Sequence, residues 1–186
     1  MTDAELAGTL AFLRRAEALK STLRSGFTAS GRPESTAEHT WRLCLLAMVV
    51  ARHLPGIDQG RLIEMLVVHD LGEAISGDIP ATMQAGIDKA ARERADFVAL
   101  VSDLPEPERL RLLALHAEYE AAVTPEAILA KGLDKLETIL QHQQGLNPAD
   151  FDHAFNLGYG KAATDRHPLL ARVRAVLDER TRALAG

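Results

Sequence analysis

The chain is predicted to be all-α, a single helical bundle of about seven or eight helices, and three observations predict it. Apolar residues recur at spacings of three and four, and no segment alternates with the period of two that marks a strand. Turn-forming clusters punctuate the chain at helix-length intervals, several of them with a cap, a proline and an acid in that order. Ala and Leu dominate while aromatic residues are only 4%, a composition that favours helix over sheet.

Taken in order, residues 3–23 form an amphipathic segment with Leu6, Leu10, Leu13 and Ala16 or Glu17 at helical spacing. Residues 24–34, with Gly26, Gly31 and Pro33, read as a loop. Ser35-Thr36-Ala37-Glu38 has capping-box spacing and starts a helix to about residue 53. After the turn Pro55-Gly56-Ile57-Asp58, a nearly all-apolar helix runs over 59–71. Residues 72–86 contain Gly77 and Pro80 and read as a loop with one short turn, followed by a charged helix over 88–102. Asp103-Leu104-Pro105-Glu106 and Thr124-Pro125-Glu126 introduce helices near 106–121 and 125–143. Asn147-Pro148-Ala149-Asp150 repeats the device for a helix near 148–158, and a last helix spans 168–184. No repeat, low-complexity tract or long linker interrupts this series, so residues 1–186 read as one domain.

At 20.2 kDa, 47% hydrophobic and 25% charged, the chain has globular composition. A net charge of −5 gives no general reason to bind nucleic acid or an anionic membrane. No run approaches the roughly 20 apolar residues of a spanning helix, and MTDAELAGTL lacks the basic-then-apolar order of a signal peptide. One cysteine, Cys44, excludes an internal disulfide; flanked by Leu43, Leu45 and Leu46, it reads as a buried, inert thiol. A reducing, cytoplasmic setting is expected.

Chemistry concentrates in VVHDLGEAISGD, residues 67–78, where an apolar helix ends in His69-Asp70 and two more acids, Glu73 and Asp78, follow. A histidine at a helix C-terminus suits the helix dipole, but Asp70 meets the negative pole and needs compensation. His39 lies one turn before Leu43 on the core-facing stripe of its helix. Asp134, a poor helix-interior residue, borders the stripe Leu129, Leu133, Leu136 and Leu140. Singly, His39 reads as a hydrogen-bonded core histidine and Asp134 as a surface partner of Lys131 or Lys135. Together, two imidazoles and two carboxylates make a mixed nitrogen and oxygen set that suits Mn, Co, Fe, Ni or Zn better than calcium.

This ordered set, His39, then His69-Asp70, then Asp134, resembles the signature of the HD-domain metal-dependent phosphohydrolases. The text around it, Arg32-Pro33-Glu34-Ser35-Thr36-Ala37-Glu38-His39-Thr40-Trp41-Arg42, His69 to Ala74 with Gly77-Asp78-Ile79-Pro80, Glu118-Tyr119-Glu120 and Leu133 to Glu137, is similar to the branch containing the 5′-deoxynucleotidases. The likeness covers about residues 10–145, with the helices of 148–184 packing on that core. It implies one divalent transition-metal cation held by His39, His69, Asp70 and Asp134. It implies a nucleotide substrate, metal-activated water and a homodimer. Glu73 matches the acid implicated in activating the water, and Asp78 a second catalytic acid. Arg24 falls where the family places a substrate-binding arginine. Where bacterial members carry Trp after that arginine, this chain has Ser25, with Phe27 the nearest aromatic. Arg32 and Lys135 are further candidates for contact with the substrate or the ligands. His53, His116, His142, His153 and His167 match no ligand position, and Trp41 reads as core or dimer packing. Nucleoside triphosphate or cyclic phosphodiester hydrolysis, or a metal-retaining nucleotide binder without turnover, remain open on the same residues.

Overall fold

The Ser35 hydroxyl accepts from Glu38 N (3.3 Å) while the Glu38 carboxylate accepts from Ser35 N (2.9 Å), and this capping box starts the central helix, α2 (Thr36–Ala51). His39, Leu43, Ala47 and Ala51 follow at four-residue steps, all essentially buried, so one stripe of α2 is core and His39 leads it. The computed structural model describes residues 1–83, 86 and 88–186. The loop expected over 72–86 includes residues 84 and 85, which lie outside the described residues.

Around α2 the order is α1 (Asp3–Ala16), β1 (Leu23–Phe27), β2 (Pro33–Ser35), then α3 (Gln59–Val68), α4 (Glu73–Ser76) and α5 (Lys89–Leu100). After these come α6 (Glu106–Ala121), α7 (Pro125–Gln144), α8 (Lys161–Thr164) and α9 (Pro168–Ala185). Among the described residues seven helices run ten residues or more, and the fold is all-α apart from the two-stranded ribbon. α2, α3 and α7 pack on one another, and Leu43, Leu62, Met65, Leu66, Leu133 and Leu136 form their shared interior. Each of these two partner helices starts on its own cap: Asp58 Oδ1 accepts from Arg61 N (3.0 Å) and Thr124 Oγ1 from Ala127 N (3.3 Å). α9 lies so close to α7 that a Cβ on Gly132 would fall 2.3 Å from Leu170 Cδ1. No helix among the described residues is long and apolar enough to cross a membrane.

Several expectations are corrected. The segment 24–34 is no loop: β1 and β2 pair antiparallel, Leu23 opposite Ser35 and Phe27 opposite Pro33. Strands of five and three residues are too short to show alternation, and the Thr28 N to Arg32 O bond (2.7 Å) closes their turn. The first helix stops at Ala16, followed by a 3-10 turn over Glu17–Lys20. Its Leu6, Leu10 and Leu13 are exposed; the chain docks instead through Phe12, Ala16 and Arg15, whose guanidinium donates to Ala99 O (2.9 Å) and Asp103 Oδ2 (3.1 Å). That arginine takes the Asp103 carboxylate, so α6 starts on Pro105 without a side-chain cap. Nor does a helix occupy 148–158, because Asn147 turns back to donate to His142 O (2.6 Å) at the end of α7. A 3-10 turn over Ala154–Leu157 stands in its place. Trp41 is 68% exposed, which removes it from the core.

Candidate metal centre and active site

His39 in the first turn of α2 and His69 at the C-cap of α3 converge, their ring centroids 5.7 Å apart. The His69 Nδ1–H donates to Leu66 O (2.8 Å), and the His39 Nδ1–H donates to Glu137 Oε2. Both tautomers are thereby set, and each buried Nε2 is left with a lone pair and no hydrogen-bond partner. Those lone pairs face carboxylate oxygens. Asp134 Oδ1 lies 3.2 Å from His39 Nε2 and 3.9 Å from His69 Nε2; Asp70 Oδ2 lies 3.8 Å and 3.0 Å from the same two atoms. Lone pairs held this close to carboxylates repel unless a positive charge sits between them. A proton can supply it: against desolvation and the nearby Arg24, Asp134 and Glu137 push His39 up to about 9. A divalent cation can supply it too: ligand atoms of His39, His69 and Asp70 all lie within 4.8 Å of one another, and nitrogen with oxygen donors suits a transition metal.

The surroundings aim these donors. Asp134 Oδ2, the oxygen turned away from the imidazoles, accepts from Tyr119 Oη (3.2 Å) and pairs with Lys135 Nζ (2.8 Å). Asp70 Oδ2 also accepts from Arg24 Nη1 (3.2 Å), and Arg24 Nη2 reaches Thr138 Oγ1 (3.3 Å). Despite desolvation, His69 and Arg24 hold Asp70 below the usual carboxylate range, and Lys135 and His39 do so for Asp134. Glu73, 3% exposed in the first turn of α4, accepts from Thr36 Oγ1 (2.8 Å). Burial and the charges of Asp70 and Asp78 push it up to about 9; a cation among the imidazoles opposes those charges. Arg32 is placed elsewhere: it pairs with Glu38 at the surface (Nη2 to Oε1, 2.5 Å) and lines no part of the site.

The HD-domain family profile matches residues 16–174. The chain belongs to the HD-domain family. It is 32% identical over 184 residues to the 5′-deoxynucleotidase HDDC2 of Xenopus laevis, covering 95% of this chain and 89% of that protein. It is 37% identical over 150 residues to the 5′-deoxynucleotidase hdd1 of Schizosaccharomyces pombe, covering 76% and 74%. Among solved structures, it matches a Magnetospirillum magnetotacticum MS-1 protein described as a predicted metal-dependent phosphohydrolase, with TM-score 0.78, 31% identity and 97% of both chains covered. Family membership implies a divalent metal.

In this HD-domain chain the site opens into a pocket of about 530 Å³, within the range of small-molecule sites. Arg24, Ser25, Asp70, Glu73, Asp78, Asp134 and Lys135 line it, as do Phe151, Phe155 and Tyr159. Glu137, Glu34, Thr36 and Tyr119 fall within the stretches that resemble the family, but sequence reasoning assigned them no role. Glu137 lies three residues after Asp134 and Thr36 three before His39, so helical spacing alone could have found both. His142 is buried at the pocket edge, its Nδ1–H donating to Asn156 Oδ1 (2.9 Å).

Proposed function

We propose that this HD-domain chain is a metal-dependent phosphohydrolase that releases phosphate from (deoxy)nucleoside 5′-monophosphates. The observation that carries the reading is the pair of buried, unpartnered imidazole Nε2 atoms facing Asp70 and Asp134, two carboxylates that line a pocket large enough for a nucleotide.

In this reading His39, His69, Asp70 and Asp134 hold one divalent transition-metal cation from the group Mn, Co, Fe, Ni and Zn. When bound, it supplies charge that polarises the phosphoryl group and acidifies water. Glu73 takes the proton of the attacking water on a carboxylate oxygen, with Thr36 holding the other in place. Asp78, which lines the same pocket, gives a proton to the leaving sugar oxygen. Arg24 and Lys135 stay protonated because Asp70 and Asp134 outweigh their desolvation, and they face the pocket as donors to the phosphoryl oxygens.

Charge favours a monophosphate over a triphosphate. The described residues lining the pocket carry six carboxyl groups (Asp70, Glu73, Asp78, Asp134, Asp150, Asp152) against three cationic side chains (Arg24, Lys89, Lys135). With one divalent ion added, that wall lacks the positive charge that four phosphate charges need.

The whole chain acts as one unit in this reading, in the cytoplasm, as a homodimer. Trp41, Leu45, Met48 and Val49 are exposed along one face of α2, a surface that a second copy would cover. Light scattering of the Trp41→Glu variant tests the dimer. The activity is tested with protein stripped of metal and reloaded with Mn or Co, presented with a panel of nucleoside monophosphates and triphosphates. Monophosphate turnover that requires the metal is expected. A protein that binds these nucleotides but releases no phosphate would be a regulatory binder instead.

A further inference from the structure

The pocket is much larger than a phosphoryl group, and part of its lining comes from the segment between α7 and α8. Phe151, Phe155 and Tyr159 all line it, and all are only partly buried, unlike the aromatic core residue Phe97. Phe155 and Tyr159 lie side by side, ring centroids 5.5 Å apart, and Phe151 packs edge-on against His142 at 5.0 Å.

This segment has little regular structure of its own, yet it is held. Arg174 of α9, 2% exposed, donates to Asn156 O (2.7 Å), Leu157 O (2.8 Å) and Tyr159 O (2.7 Å), and Asp178 balances its charge (2.5 Å). One guanidinium thus satisfies three carbonyls that a helix would otherwise have paired. From the other side, the Lys135 ammonium sits 5.2 Å from the Tyr159 ring centroid while pairing with Asp134. The rings are therefore tied to the metal-site helix α7 and to α9 together.

We propose that Phe151, Phe155 and Tyr159 are the face that seats the nucleobase of the leaving nucleoside, so the C-terminal segment sets the substrate range and Arg174 positions it. The proposal rests on the nucleotidase reading of the same pocket. Aromatic faces stack on any base, and the neighbouring Asp150 and Asp152 disfavour further phosphates at this end. The expected ligand is a flat heteroaromatic base carried on a monophosphorylated sugar, with little preference among bases.

The test compares a 2′-deoxynucleoside 5′-monophosphate with 2-deoxyribose 5-phosphate, which lacks the base, on the metal-loaded full chain. The wild type should prefer the nucleotide at least tenfold in kcat/KM. The double variant Phe151→Leu/Phe155→Leu keeps apolar volume but removes two ring faces. It should lose on the order of tenfold on the nucleotide, through KM, and stay within twofold on the base-free substrate. No preference in the wild type, or an equal loss on both substrates, overturns the proposal. Saturation-transfer NMR with 2′-deoxyadenosine gives a readout without turnover: base protons should be saturated by the wild type and not by the variant. If the wild type hydrolyses neither substrate, the nucleotidase reading fails, and the NMR comparison alone decides the base site. Equal saturation in both proteins overturns it.

Discussion

Glu137 accepts the Nδ1 proton of His39 through one carboxylate oxygen and Arg42 Nε (2.6 Å) through the other. Glu137 is fully buried, so the carboxylate cannot swing away, and His39 has one tautomer and one ring orientation available. Partners of this kind raise the basicity of a ligating imidazole as well as aiming it. Glu137→Gln should therefore weaken metal binding about 10- to 100-fold, measured by titrating metal into stripped protein. Unchanged affinity would show that His39 needs no such partner.

Glu73 accepts from Thr36 and contacts no imidazole, so it separates turnover from metal binding. Glu73→Ala should retain a full equivalent of metal by elemental analysis and lose about 10²–10⁴ of kcat. His69→Ala or Asp70→Ala should lose metal and activity together. Near-normal turnover in Glu73→Ala would assign the water's proton to another group.

Glu34 is buried beside Glu137, and burial with that neighbouring charge pushes it up to about 7, from the 4.5 of an unperturbed Glu. Between these values the folded state binds more protons than the unfolded one, so this carboxyl makes stability fall as pH rises from about 4.5 to about 7. Glu34→Gln should remove that part of the pH dependence and gain on the order of 1 kcal/mol at pH 8. Melting temperatures of both proteins at pH 5.5 and 8 in chelator provide the check; parallel curves would refute it.

Gly72 has an ordinary helical φ of −59°, so its conformation does not demand glycine. Space does: a Cβ would lie 2.8 Å from Glu93 O and 3.2 Å from Phe97 N, both backbone atoms of α5. Gly72→Ala should cost about 1–3 kcal/mol, a drop of several degrees in melting temperature. It should also lower kcat, because Glu73 is the next residue. An unaltered melting curve would mean α5 moves away without cost.

Much of this was legible in the sequence because it is local. The capping box at Ser35, the cap at Thr124 and the four-residue stripe from His39 to Ala51 follow from spacing within one or two turns. So does the ending of an apolar helix in His69-Asp70. Where local signals misled, another partner had taken the group. Arg15 took Asp103 from its cap, the His142 carbonyl took Asn147, and Phe12 rather than the leucine stripe docked α1.

By itself the sequence determined the helical series and the residue types available for metal chemistry, since both are written in short-range periodicity. Only the tertiary structure decided that the His39 and His69 imidazoles face Asp70 and Asp134, that Glu137 orients one of them, and that Arg32 stands apart with Glu38. It alone brought Phe151, Phe155 and Tyr159 to the same pocket, far along the chain from His39, His69 and Asp70. The reason is physical: convergence depends on how helices pack across the core, and no spacing within a single helix encodes which side chains meet there.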